Sequence, residues 1–263
     1  MHGVGGNVLG FRDLARHLGP DQPVFGLQSV GLDGKRSPLI AFEEMAAHYV
    51  TEIRQLQPQG PYCIAGLSVG GLIAYEMAHQ LISQGQEVAM LALFDTGSRS
   101  QLEALTPAAA RRQRRNMLAA RLRYNWRKQF AGGGIFQYWH RKLRTWRRRW
   151  KSLRERRHFI EAARNGQALP SGILSVRDAN YLASSRYVPQ DFAGRITLFR
   201  VNEERVGRPE EPTLGWQMLA RGGVEIIEVS GTHTSLILEP HVQILAKELK
   251  AAMDRALHAG TTR

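Results

Sequence analysis

Short apolar runs recur along the chain at 24–27, Tyr62–Leu67, Val88–Phe94, Ile196–Val201 and Val224–Val229. Their length and β-branched or aliphatic content predict strands. Between them, apolar residues return every three or four positions over 41–57, 69–84, 176–186 and 239–257, the period of an amphipathic helix. Pro240 suits the first turn of the last of these, where its missing N–H would have no intrahelical partner. Strands alternating with helices predict an α/β fold, with a mainly parallel sheet covered by helices on both faces. At 263 residues and 43% apolar composition, a single domain spanning 1–263 is expected.

The interval between Phe94 and Ile196 breaks this rhythm, because a βαβ crossover needs far fewer residues than the chain spends there. Residues 100–175 are therefore predicted to be an insertion. Within it Trp139, Leu143, Trp146, Trp150 and Leu153 fall on one helical stripe and Leu118, Leu122 and Trp126 on another, with glycines at 132–134 between them. A basic helical hairpin lying over the core is the expectation. The charge pattern agrees: of the 36 lysines and arginines, 19 lie in residues 111–164, with only two of the 23 acids, Glu155 and Glu161. The formal net charge of +13 is thus a property of the insertion.

Interleaved aromatics and arginines would suit a nucleic acid or an anionic membrane, but such binding leaves the chemistry described next unexplained. Neither partner is expected. Cys63 is the only cysteine, so no intrachain disulfide can form, and its apolar neighbours predict a buried, reduced thiol. The chain shows no apolar run of the ~20 residues that a membrane-spanning helix needs, and its first residues lack a signal-peptide pattern. A soluble, cytoplasmic, monomeric domain is the corresponding expectation. No His, Cys and carboxylate cluster has metal-ligand spacing, and neither G-x-G-x-x-G nor a Gly-Lys-Ser/Thr phosphate loop is present. Neither metal nor cofactor is expected.

Gly66-Leu67-Ser68-Val69-Gly70 follows an apolar run and opens a helical one, the strand–turn–helix setting of a nucleophile elbow. Such a turn brings strand and helix backbones together, so a Cβ at position 66 or 70 would clash. Ser68 then needs a base to take its proton and a carboxylate to orient that base. Two carboxylates compete. Asp95 directly follows the strand ending at Phe94, and Glu203 follows the one ending at Val201; hydrolases of this type use both places. Among nine histidines, His233 lies just beyond the last strand, in a turn marked by Ser230 and Gly231. The order Ser68, Asp95, His233 is the chain order of α/β-hydrolase triads.

At the N-terminus, His2-Gly3-Val4-Gly5-Gly6-Asn7 is a glycine-rich loop able to aim an amide at an oxyanion; its other reading is a frayed terminus. The Val4 and Val69 amides are the expected oxyanion hole, since the residue after the nucleophile contributes one donor in this geometry.

These residues lie within longer stretches that resemble one family. GPYCIAGLSVGG is followed by GGLIAYEMAHQLISQGQEVAMLALFDT, and YVPQDFAGRITLFRV, LGWQMLARGGVEIIEV and SGTHTSLILEPHVQILAKEL lie toward the C-terminus. Over nearly its whole length the chain is similar to the type I thioesterase domains that end non-ribosomal peptide synthetases and polyketide synthases. The resemblance implies an α/β-hydrolase fold with a helical lid at 100–175. It carries the nucleophile to Ser68, the acid to Asp95, the histidine to His233 and one oxyanion amide to Val4. It also implies an acyl or peptidyl carrier protein as partner and a substrate thioester on that protein's phosphopantetheine arm. Two departures stand out. The family has an apolar strand before the loop matching His2 to Gly6, so here the first core strand is expected to be missing, leaving the nucleophile strand open on one side. The lid is also richer in arginine than the family's.

The implied reaction is release of an acyl, peptidyl or polyketide chain through an acyl-enzyme on Ser68, by hydrolysis or macrocyclisation. An esterase or acyltransferase acting on oxygen esters would use the same triad. Carrier proteins are generally acidic, so a basic lid would steer them by long-range attraction; a solvated arginine face over the tryptophan stripe is the other reading of the same residues.

Overall fold

The computed structural model describes residues 1–98, 175–202 and 211–260. In chain order the elements are α1 (Arg12–Leu18), α2 (Phe42–Leu56), β1 (Tyr62–Leu67), α3 (Val69–Ser83), β2 (Val88–Phe94), α4 (Val176–Arg186), β3 (Ile196–Val201), β4 (Val224–Val229) and α5 (His241–Gly260). All but the last residue of the predicted lid, and the rival acid Glu203, fall outside the described residues.

The four strands form one parallel sheet in the order β1-β2-β3-β4. Because side chains alternate along a strand, β2 sends Leu91 and Leu93 to one face and Met90, Ala92 and Phe94 to the other. All five are buried, as expected of a central parallel strand covered on both sides. The first face packs against α2, α3 and α4 through Met45, Tyr49, Ile73, Tyr75 and Ala183. The second packs against α1 and α5 through Leu14, Leu18, Val242, Leu245 and Leu249. α3 is buried at every position from Gly70 to Ala78, which explains why it is apolar nearly all round while α2 carries a polar outer face.

Several expectations are corrected. Residues 24–27 form no strand: Val24 and Phe25 are exposed, and among the described residues none pairs with them to turn local propensity into a strand. Cys63 is exposed rather than buried, because β1 is an edge of the described sheet and this residue stands at the strand's outer start. Even so, partial burial of the thiol pushes its pKa upward. α5 begins at His241, one residue after Pro240. α1 had no counterpart among the predicted helices; only Leu14 and Leu18 of its seven residues are buried, too short a stripe to register as periodicity.

Candidate active site

Three strand ends bring the chemistry to the C-terminal rim of the sheet. The parallel register sets Leu67 beside Phe94, so Ser68 and Asp95 emerge next to each other one residue further on. Ser68 has φ 56° and ψ −121°, a backbone state that costs a non-glycine residue about 1–3 kcal/mol. Surrounding bonds hold it there. Its N–H donates to the Phe94 carbonyl at 3.1 Å, and its carbonyl accepts from the Gly71 N–H at 2.9 Å. The Thr96 hydroxyl lies 3.1 Å from the same carbonyl.

The expected clashes are present at both glycines. A Cβ on Gly66 would run into the Gly70 carbonyl, and one on Gly70 would run into the carbonyl of His2. The absent side chain at 70 therefore allows the N-terminal residues to lie against the first turn of α3. The Met1 nitrogen, donating to the Ala65 carbonyl at 2.7 Å, holds them from the strand side.

Asp95 also has positive φ, 46°, and its N–H donates to the Phe199 carbonyl at 2.8 Å, tying the loop to β3. Its side chain is wholly buried, and Oδ2 lies 2.6 Å from Nδ1 of His233, whose ring is one-third exposed. A carboxylate can only accept, so Nδ1 carries the proton, which makes Nε2 the ring atom that can accept one. The loop after Asp95 is fixed by Trp216, a fully buried residue whose indole N–H donates to the Thr96 carbonyl at 2.7 Å.

Of the predicted oxyanion donors, Val69 is the first residue of α3, where backbone N–H groups have no intrahelical partner. Val4 sits in a turn closed by the Gly6 N–H donating to the Gly3 carbonyl at 2.9 Å. The segment is thus an ordered loop and not a frayed end. Trp216 at the Thr96 carbonyl, Tyr49 on the His2 ring and Asn180 on the Val4 carbonyl brace the site from elsewhere in the chain and carried no catalytic motif. Among the described residues no group of three His, Cys, Asp or Glu could hold a metal ion, and no helix is long and apolar enough to cross a membrane.

A family profile described as the thioesterase domain matches residues 1–253. The chain belongs to the thioesterase domain family. Malpibaldin synthetase of Mortierella alpina is 25% identical to this thioesterase domain over 249 residues, which cover 92% of the chain and 4% of the synthetase. The four-domain nonribosomal peptide synthetase holo-AB3403, solved with AMP and glycine bound, aligns at 26% identity with a TM-score of 0.64 over 95% of this chain and 19% of that one. The NocB thioesterase domain, in covalent complex with a fluorophosphonate nocardicin G analog, aligns at 23% identity and a TM-score of 0.60, covering 97% of this chain and 92% of its own. That likeness speaks to the fold alone, which is the α/β-hydrolase fold. The thioesterase domain spans only a small part of the curated synthetase and the multidomain structure that it matches.

Proposed function

We propose that this thioesterase domain releases an acyl, peptidyl or polyketide chain from the phosphopantetheine arm of a carrier protein through an ester on Ser68. The contact between His233 Nδ1 and Asp95 Oδ2 supports this reading best, because it orients the imidazole as a base through the carboxylate that follows the strand paired with the nucleophile strand. Ser68 Oγ attacks the thioester carbonyl as its proton passes to His233 Nε2. The Val4 and Val69 N–H groups stabilise the negative oxygen of the tetrahedral intermediate. The C–S bond then breaks, and the departing thiolate takes the proton from the imidazolium. Water, or an amine or hydroxyl of the bound chain, next gives its proton to His233 and attacks the ester. Collapse returns that proton to Ser68 and frees an acid or a macrocycle. No cofactor enters these steps.

Incubation with synthetic pantetheine thioesters and intact-mass detection tests the reading. An acyl adduct is expected on the parent protein and none on Ser68→Ala. An adduct that persists in the serine variant overturns the assignment, and turnover confined to oxygen esters moves the activity to an esterase.

A further inference from the structure

We infer that His2, braced by Tyr49, and Asn180 are positioning residues that aim the Val4 N–H at the reaction's oxyanion by gripping the two peptide planes on either side of Val4. This rests on the thioesterase reading given above and extends it to residues outside the triad and the elbow.

The argument begins with peptide geometry. In a trans peptide the C=O and N–H of one planar unit point in opposite directions. The unit joining Gly3 to Val4 has its carbonyl held by two donors, the ring Nδ1 of His2 at 2.9 Å and the Gly6 N–H at 2.9 Å. Holding that oxygen fixes the opposite direction for the Val4 N–H. The next unit, joining Val4 to Gly5, has its carbonyl held by Nδ2 of Asn180 at 3.0 Å, from 176 residues away on α4. With both planes gripped, φ and ψ of Val4 have little freedom left. External grips are needed because Gly3, Gly5 and Gly6 are the residues least able to hold a conformation by themselves.

The His2 grip depends on one tautomer. The Gly3 carbonyl only accepts, so Nδ1 carries the proton, and Nε2 must accept from the Tyr49 hydroxyl at 2.9 Å. That hydroxyl proton is then spent on His2, and the Gln28 carbonyl, farther off at 3.3 Å, goes without it. The ring is fully buried, and burial lowers its pKa to about 4, which keeps it neutral. The Tyr49 O–H thus reads out in the aim of a peptide two residues beyond the ring.

Asn180 carries a second mark of a dedicated role. It is fully buried, and while its NH₂ end meets Val4, its Oδ1 finds no partner among the described residues. A leucine of similar size would fill the site without stranding an acceptor; what the amide adds is the bond to Val4.

The test uses Tyr49→Phe, which removes the donor that sets the His2 tautomer, and Asn180→Leu, which removes the bond to the Val4 carbonyl. Each variant is titrated with a fluorophosphonate to count active sites, then assayed with a pantetheine thioester and with an acyl trifluoromethyl ketone. That ketone binds reversibly as a tetrahedral oxyanion adduct and so reports on the hole. The expected result is a loss of about tenfold or more in kcat per active site with KM little changed, and a rise in the ketone's inhibition constant by the same factor. A purely structural role would lower the number of active sites and leave the inhibition constant where it was. Folded variants whose inhibition constants stay within about twofold of the parent overturn the proposal. Both substitutions are close in size to the residues they replace, and thermal melts confirm that each is folded. A parent that fails to label at Ser68 or to turn over the thioester brings down the underlying reading, an outcome distinct from failure confined to the variants.

Discussion

The carbonyl of His2 occupies the space that a side chain on Gly70 would need. One missing Cβ thus joins two features separated by most of the first seventy residues: the helix that follows Ser68, the proposed nucleophile, and the loop proposed to share the oxyanion with it.

Gly70→Ala is expected to push these two backbones apart. Neither atom belongs to a flexible side chain that could swing aside, so overpacking should destabilise the fold by about 1–3 kcal/mol. Turnover should fall further than stability predicts, because the loop carrying Val4 is displaced. Thermal melts alongside kcat measure both, and an alanine variant with parent-like melting and turnover contradicts the steric account.

Asp95→Asn keeps the shape of the side chain but removes the charge that stabilises the imidazolium and selects its tautomer. A fall in kcat of about 10³–10⁴-fold with little change in KM is expected. Undiminished turnover would transfer the role to Glu203, the rival acid after β3.

Burial holds the folded-state pKa of His2 down to about 4 from its ordinary 6.5. Between these values the unfolded chain binds a proton that the folded protein does not, so stability rises with pH across that window. This contribution is fully present above pH 6.5 and is lost as pH falls toward 4, amounting to roughly 3 kcal/mol. Urea unfolding at several pH values should show a steeper acid-side decline for the parent than for His2→Asn, which has no group to titrate there. Parallel declines would mean that the ring is not held neutral by burial.

Trp216→Phe removes the indole donor to the buried Thr96 carbonyl and leaves that oxygen without its bond. A stability loss of about 1–3 kcal/mol is expected, seen as a lower urea midpoint. Because the loop from Asp95 to Ser98 runs through this contact, active-site titration with a fluorophosphonate should show slower labelling as well. An unchanged midpoint would show that the bond contributes little.

Local pattern and short-range stereochemistry sufficed for much of this protein. The runs at 62–67, 88–94, 196–201 and 224–229 became strands because each is rich in β-branched or aliphatic residues and is bounded by turn formers. Gly66 and Gly70 announced the elbow because that turn admits almost nothing else. Ser68 and Asp95 were candidates because each directly follows such a strand, and His233 because it lies in the turn four residues beyond Val229; position near a strand end is a local property.

Contacts between distant residues were decided only by the tertiary structure. The run at 24–27 has strand propensity, yet among the described residues none completes a ladder with it. Cys63 has apolar neighbours, yet it stands on the outer edge of the described sheet. Asn180 on Val4, Tyr49 on His2 and Trp216 on Thr96 each join positions whose separation has no period. A hydrogen bond needs a donor and an acceptor at one point in space, and which two residues share that point is set by how helices and strands stack, after every local preference has been met.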